Sequence, residues 1–376
     1  MKHSLKALVA MIALASSAQV LAQDTLPVTL PTQQDSRLEQ VATSPRVWNG
    51  ITVSHDNRLF ASLTQSEGAG LQLAEVINNQ LKAFPDDSWN QWNANDPEHH
   101  FYHVNALRIG PDGDLWVMDS GNKGIGTGDQ AVPGGAKLVH ISLATGKVLN
   151  SYVFKAPTLQ PTSYLDDVRF NGNFAYITDP GAVGLVVLNL KSGKSWRVLD
   201  NHPLSIDHQP IYADGKKLIL RDGREKRVGL DQLEVSPDGK WLYYQAIPGP
   251  LARIETRYLN DSALSAAEVA KHAEKVRETW STGGTAIDAE GNIYASDINT
   301  RSIKRIAPDG KVTTVVQDPR LVWIDAMWVS DGALWMPSGQ INRTPATTGG
   351  KPSTVEYPVK LYRLPLPIKP SPLDHQ

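Results

Sequence analysis

The sequence predicts an all-β fold, a six-bladed β-propeller with about four strands in each blade. The main observation is a segment that recurs six times along the 376 residues: a polar residue, an apolar strand, a tight turn and a second apolar strand. The six copies place the following residues at one equivalent position: Asn49, Asn105, Asp166, Asp231, Gly283 and Asp325. Strand–turn–strand units that repeat at intervals of 42 to 65 residues are typical of a propeller.

Alternating segments between the repeats predict the outer strands of the blades. Three of them, at 136–141, 185–190 and 303–306, are followed by a glycine-containing turn that is typical of a hairpin. Two more, at 38–42 and 359–364, lie near the two ends of the chain. Because a propeller removes its exposed edges by pairing its terminal strands, we expect these two segments to close the last blade together.

The chain divides into four regions. Residues 1–22 resemble a cleaved signal peptide, with Lys2 and Lys6 before a short apolar run and small residues at its end. Residues 23–45 form a polar, proline-rich N-terminal arm, 46–365 the propeller and 366–376 a C-terminal tail. We therefore expect an exported protein, periplasmic or extracellular.

One segment departs from the strand pattern. Residues 261–280 combine apolar residues at helical spacing with Glu and Lys, and begin with an Asp-Ser start signal. This predicts one helix inserted between the fourth and fifth repeats.

Composition excludes several classes of function. The formal charge of −2 favours neither nucleic acid nor a membrane surface as a partner. The absence of cysteine excludes disulfides, thiol catalysis and Cys-ligated metals. The apolar run of the leader is short, and no later run is long enough to span a membrane, so we expect no membrane insertion.

We expect a monomer with a small-molecule ligand. We also expect a solvated loop at the charged run 222–227.

The equivalent polar residues are the main candidates for a site. Each first strand runs from this position towards the turn and is normally the innermost strand of its blade, so these residues should surround the mouth of the central channel. We predict that Asp166 and Asp231 are catalytic and that Asn49, Asn105 and Asp325 bind ligand. The alternative is that these side chains only hydrogen-bond the ends of inner strands.

Two further predictions concern metal and proton transfer. Carboxylate and amide oxygens suit Ca²⁺ or another divalent cation, which makes Asn105, Asp166 and Asp231 candidate ligands, although no cofactor is certain. His103 belongs to a group of three histidines and has the strand parity of Asn105. It is a candidate catalytic proton carrier, and an exposed loop is the alternative.

Several motifs, in order along the chain, resemble the major royal jelly/Yellow protein family. They are the LWVMDSG strand at 115–121, the DPG segment at 179–181, the SPDGKWLYY stretch at 236–244 and the WIDA segment at 323–326, where Ile324 replaces the usual proline. The resemblance covers roughly 45–365. It implies a secreted six-bladed propeller, in a family where some members are linked to dopachrome isomerisation and others bind small amines in the channel.

A more distant resemblance is to the gluconolactonase/senescence-marker propellers, which hold a divalent cation in the channel. Their first-blade Glu and fifth-blade Asp are replaced here by Asn49 and Gly283, and Asp231 stands where they have Asn. Three functions therefore stay open. The first is a propeller that binds a small polar or aromatic molecule and, if it is an enzyme, isomerises it. The second is a metal-dependent lactonase, and the third is a non-catalytic binding scaffold.

Overall fold

The structure, a computed structural model, describes residues 24–330 and 332–373, so the predicted signal peptide 1–22 lies outside the described residues. Within this part of the chain, the predicted propeller is confirmed. Six four-stranded antiparallel sheets form the blades. The innermost strands of neighbouring blades contact one another all the way round, which closes the ring.

The strands follow one another in chain order, from the innermost to the outermost strand of each blade. The N-terminal arm contributes β1 (Glu39–Ser44). Blade one contains β2 (Trp48–Val53), β3 (Leu59–Leu63), β4 (Leu73–Ile77) and β5 (Gln80–Ala83). Blade two contains β6 (Val104–Ile109), β7 (Leu115–Ser120), β8 (Ala136–Ile141) and β9 (Val148–Val153). Blade three contains β10 (Val168–Asn171), β11 (Phe174–Asp179), β12 (Gly184–Asn189) and β13 (Ser195–Val198).

A small hairpin separates the two halves of the ring, formed by β14 (Tyr212–Ala213) and β15 (Lys216–Lys217). Blade four contains β16 (Leu230–Val235), β17 (Trp241–Ala246), β18 (Leu251–Glu255) and β19 (Glu274–Arg277). Blade five contains β20 (Thr285–Ile287), β21 (Ile293–Asp297), β22 (Ser302–Ile306) and β23 (Val312–Gln317). Blade six contains β24 (Trp328–Ser330), β25 (Ala333–Ser338) and β26 (Val359–Pro365), and β1 completes it.

The two chain ends close the ring as predicted. β1 pairs antiparallel with β26, from Glu39 opposite Arg363 to Ser44 opposite Val359. Asn79, in the β4–β5 turn of blade one, accepts a hydrogen bond from the backbone N–H of Thr43 at 2.8 Å. The edge strand of the last blade is therefore tied to the first blade as well as to its own sheet.

The predicted helix at 261–280 is much shorter than its sequence pattern suggests. The chain forms two single-turn helices, α1 (Thr256–Asn260) and α2 (Ala266–Ala270), and Ser265 caps α2 by accepting from the Glu268 N–H. The end of the predicted helix is instead β19, which pairs with β18. Completing the outer edge of blade four thus outweighs the local helical propensity.

The hydrophobic core lies between the blades. Alternate residues of each strand face the neighbouring sheet, so each apolar cluster joins adjacent blades. The largest unites blades six, one and two around Trp48 and Trp328, which are 0% and 1% exposed. Among the described residues, no helix is long and apolar enough to cross a membrane.

Candidate functional site

The equivalent polar residues meet at one end of the channel, which we call the top face because the innermost strands begin there. We call five of these residues the ring: Asn49, Asn105, Asp166, Asp231 and Asp325. The Asn49 amide donates to Asn105 Oδ1 at 3.3 Å. The Asn105 amide in turn donates to Asp166 Oδ1, and the side chains of Asp166 and Asp231 interact directly. The repeat therefore brings residues from successive blades into contact.

Tyr164 lies in the loop that precedes β10, and it anchors the ring. Its hydroxyl donates to Asn105 Oδ1 at 2.9 Å, and its side chain is almost fully buried. Burial raises the pKa of this phenol well above its usual value, and the negative charge of Asp166 adds to the effect. Tyr164 stands just before the repeat, so the alignment of repeats gave no signal for it.

Asp166 and Asp231 form an acid–base pair. Burial raises the pKa of Asp166 well above its ordinary value, and the charge of Asp231 raises it further. Burial also raises the pKa of Asp231, but hydrogen bonding to Asp166 and the positive charge of Lys226 oppose that rise. Two like charges in a buried site cannot both be retained cheaply, so the pair as a unit favours holding one proton.

Asp325 adds a third carboxyl group to the same buried region. Its pKa is raised well above the ordinary value, first by burial, and the charge of Asp231 contributes in the same direction. The indole N–H of Trp323 donates to Asp325 Oδ2 at 2.9 Å, which partly offsets this rise. The top of the channel is therefore a concentrated acidic environment.

Blade five contributes no side chain to the ring. A Cβ atom on Gly283 would lie 2.5 Å from the carbonyl oxygen of Ile324, so only glycine fits there. The N–H groups of Gly283 and Gly284 donate to Ser296 Oγ at 2.9 and 3.1 Å. This close approach of blades five and six is the physical reason for the break in the polar pattern.

A second layer of side chains closes the channel beneath the ring. It lies three residues further along the innermost strands, at Arg108, Arg169 and Glu234, which are 3%, 1% and 2% exposed. Arg169 makes two hydrogen bonds to Glu234, at 2.8 and 2.9 Å, and Arg108 lies over the ring of Trp328. We call the region at the top of the channel, bounded below by this layer, the chamber.

The segment 199–229 covers this chamber, and we call it the insertion. Arg301 holds it to blade five through two hydrogen bonds to Asp214, at 2.7 and 2.9 Å. Asn342, after blade six, also donates to Asp214 at 3.1 Å, and the Ile219 N–H donates to the Thr347 carbonyl at 2.9 Å. The insertion leaves blade three and is anchored on the opposite side of the propeller.

Lys226 projects from the insertion towards the ring. The prediction of a solvated loop is right for Arg224, which is exposed and pairs with Asp222, but it is wrong for half-buried Lys226. Burial lowers the pKa of Lys226, against the opposing charges of Asp231 and Asp166. Among the described residues, no carboxylate forms an ion pair with its ammonium within 4.0 Å.

His103 lies beside the ring and does not bond to its carboxyl groups. Its imidazole packs edge-on against Tyr164, with ring centroids 5.7 Å apart, and it lines a cavity of about 610 Å³ on the top face. Burial lowers the pKa of His103 to about 4, so the imidazole is neutral at physiological pH. Contact with the ring runs through Tyr164 and Asn105.

Two Asp residues at the ends of second strands have a structural role. Asp119 and Asp179 each accept backbone N–H bonds from the segment that leads into an inner strand. Each also pairs with a cation on a more outward strand of its blade, Asp119 with Lys137 on β8 at 2.8 Å and Asp179 with Arg197 on β13 at 2.7 Å. They stabilise the top face and lie behind the chamber.

In a comparison with known protein families, residues 104–365 match the family described as major royal jelly protein, which is more than half of the chain. This chain belongs to the major royal jelly protein family. The match confirms the resemblance found in the motifs, and it begins at the innermost strand of blade two, so blade one lies outside it. A search of curated proteins finds no significant match for this family member.

A comparison with solved structures finds matches of low sequence identity. Virginiamycin B lyase from Staphylococcus aureus is 12% identical, over 88% of this chain and 99% of that chain, with a TM-score of 0.48. A streptogramin B lyase is 12% identical, over 87% and 96%, with a TM-score of 0.46. A nidogen/laminin complex is 10% identical, over 78% and 83%, with a TM-score of 0.44. At this level of similarity they carry no argument about the function of this family member.

Proposed function

We propose that this major royal jelly family protein is exported, binds a small polar or aromatic molecule at the ring, beneath the insertion, and isomerises it by moving a proton. The observation that carries the proposal is the Asp166–Asp231 pair, two buried and interacting carboxyl groups whose pKa values are both raised, close to the ammonium of Lys226. An isomerase needs both an acid and a base at neutral pH, and neighbouring carboxyl groups with separated pKa values supply them.

The proton balance is simple. Ionised Asp231 accepts a proton from an acidic C–H of the substrate, and protonated Asp166 donates one to a carbonyl oxygen that accumulates negative charge. The substrate has then exchanged a C–H bond for an O–H bond, with no net gain or loss of protons. The two carboxyl groups return to their starting state when the proton passes from Asp231 to Asp166. The ammonium of Lys226 stabilises the oxygen while it is negative.

The remaining predicted site residues would orient the substrate and complete the proton path. Asn49 and Asn105 form the connected amide edge of the ring, and Asp325 adds an acceptor from blade six. His103 is neutral and reaches the ring through Tyr164 and Asn105, so in this proposal it carries protons at the periphery of the chamber.

A divalent-cation site of the lactonase kind fits these residues less well. The ring offers enough oxygen atoms for Ca²⁺, but Gly283 cannot be replaced by a ligand and Lys226 already places a positive charge over Asp166 and Asp231. A cation at the same place would be repelled by that ammonium. We therefore derive no step through a metal. Stoichiometric Ca²⁺ in elemental analysis, together with lactone hydrolysis, would favour the lactonase.

The test begins with ligand binding. Thermal-shift measurements with indoles, catecholamines and lactones should show a higher Tm with at least one indole or catecholamine, since a ligand that binds only the folded state stabilises it. Dopachrome is the turnover probe, because members of this family are linked to its isomerisation. We expect the wild-type protein to accelerate loss of dopachrome, and Asp231→Asn and Asp166→Asn to lower the rate by about 10²-fold or more.

Asp309→Asn is the matched control. Asp309 lies in a turn at the opposite end of the propeller, where its carboxylate accepts the Lys311 N–H. An Asn side chain retains this bond, so rate and ligand affinity should not change. Equal activity of wild type, Asp231→Asn and Asp166→Asn, all folded, would exclude the proposed isomerase. Analysis of the N-terminus of protein recovered outside the cytoplasm tests export and cleavage after residue 22.

A further inference from the structure

The top-face cavity that His103 lines is distinct from the ring and lies between blades one and two. It has a volume of about 610 Å³, which is in the range of small-molecule sites. We call it the blade-1/2 pocket. The side chains that matter for its chemistry are Leu71, Trp92, Tyr102, His103 and Lys123. No ring carboxylate is among the described residues that line it.

The floor of the pocket is rigid and its hydrogen bonds are satisfied. The Gln72 amide donates to the Phe101 carbonyl at 2.9 Å, and its oxygen accepts the Val104 N–H at 3.1 Å. Asn90 bonds to the backbone at both ends of its amide. Both side chains are more than nine-tenths buried. The floor is therefore built by the fold and does not depend on a ligand.

The walls of the pocket, in contrast, carry polar groups without hydrogen-bond partners. Among the described residues, nothing bonds to the indole N–H of Trp92, the hydroxyl of Tyr102 or the ammonium of Lys123. The imidazole nitrogens of His103 are equally free of partners in this part of the chain. Trp92 and Lys123 can only donate, and Tyr102 and a neutral His103 can donate as well as accept.

The pocket thus favours a ligand that is rich in acceptors and has an apolar, flat body. Trp92 and Tyr102 meet edge to face at 4.9 Å and, with Leu71, form an aromatic and aliphatic wall. Buried Lys137 lies 5.8 Å from the ring centroid of Trp92 and adds positive potential behind this wall, although Asp119 neutralises much of it. The one acidic side chain among the lining residues, Asp87, is exposed.

We propose that the blade-1/2 pocket is a second ligand site, separate from the ring, for small aromatic carboxylates. The aromatic body would lie against Trp92 and Leu71. The carboxylate would accept hydrogen bonds from the Trp92 indole, the Tyr102 hydroxyl and the Lys123 ammonium. His103 forms the boundary with the ring, since its other side contacts Tyr164.

Calorimetric titration with three indoles tests the site: indole-3-acetate, its neutral amide and the cation tryptamine. We expect indole-3-acetate to bind, and the amide and tryptamine to bind at least about tenfold more weakly, because each loses the charge-assisted hydrogen bonds. Absence of indole-3-acetate binding, or tighter binding of tryptamine, would overturn the proposal.

Variants separate this pocket from the ring. Trp92→Leu should weaken the binding of indole-3-acetate by more than about tenfold. Lys123→Met should weaken it by about three- to fivefold, and because Lys123 lies on an exposed loop this change should leave the protein folded. Lys311→Met, at the opposite end of the propeller, is the matched charge control and should have no effect. Asp231→Asn and Lys226→Met should also leave this affinity unchanged. If the affinity for indole-3-acetate fell in Lys226→Met and was unchanged in Lys123→Met, the ligand would bind at the ring and the proposed second site would be wrong.

Discussion

Asp166 and Asp231 occupy the same position in neighbouring blades, and their carboxyl groups interact directly at the top of the channel. The pair exists because the innermost strands of blades three and four are in contact and begin at the same level. Burial makes a second negative charge costly, and Lys226 supplies only one opposing charge. The buried pair is therefore more stable with a proton bound than with both carboxyl groups ionised.

The wild-type protein should become less stable as the pH rises, and Asp166→Asn should reduce this pH-dependent decrease in the free energy of unfolding. The unfolded carboxyl titrates near pH 4, whereas the folded pKa of Asp166 is raised well above this value. Its contribution to stability is thus fully present below pH 4 and is lost as the pH rises through the folded pKa. Asparagine resembles the protonated acid, so denaturant unfolding between pH 5 and 9 should show a flatter decline for the variant.

Asp87→Asn serves as the control for this series, because Asp87 is exposed and is not one of the ring residues. Its pH dependence should follow that of the wild-type protein. If Asp166→Asn lost stability with pH as steeply as the wild type does, the shared proton would be ruled out.

Asp214→Ala should loosen the insertion without unfolding the blades. Asp214 receives three hydrogen bonds, two from Arg301 and one from Asn342, and these join the insertion to blades five and six. Hydrogen exchange measured by mass spectrometry should increase in 199–229 and stay unchanged in the inner strands, since local opening needs less free energy than global unfolding. Exchange that rose equally in all blades, or nowhere, would contradict the anchoring role.

Periodicity in the sequence predicts much of this molecule. The repeat places all five ring residues, because each occupies the same point of a strand that recurs. It also predicts the closure through β1 and β26. It does not predict Lys226 or Tyr164, since one lies in a non-repeating insertion and the other in a loop, where spacing carries no information on spatial neighbours. The helix predicted at 261–280 is reduced to the single turn α2, and its end forms β19, because pairing at the open edge of blade four depends on tertiary contacts that local propensity does not include.

Lys137→Met should lower the free energy of unfolding by about 3–5 kcal/mol, because it leaves Asp119 as an uncompensated charge in the interior. Both side chains are fully buried, and their charged atoms are 2.8 Å apart. Thermal and urea unfolding measure the loss. The exposed pair Lys275–Glu278 has similar geometry at 2.6 Å, so Lys275→Met should cost only up to about 1 kcal/mol. Adding Asp119→Asn to Lys137→Met should recover part of the loss, and a double variant no better than the single one would argue against a charge effect.

His103→Gln should reduce the sensitivity of the folded protein to mild acid. The imidazole is held neutral by burial, with its pKa lowered to about 4, while in the unfolded chain it takes a proton near pH 6.5. The stability that a neutral His103 provides is fully present above pH 6.5 and is lost as the pH falls towards 4, by at most about 1.4 kcal/mol for each pH unit. Urea unfolding at pH 4.5, 5.5 and 7 should therefore show a smaller decline for His103→Gln than for the wild type. His99→Gln, at a side chain that is 67% exposed, should decline like the wild type. Equal slopes for all three proteins would mean that His103 is solvated and protonates freely, which would also remove it as a neutral wall between the ring and the blade-1/2 pocket.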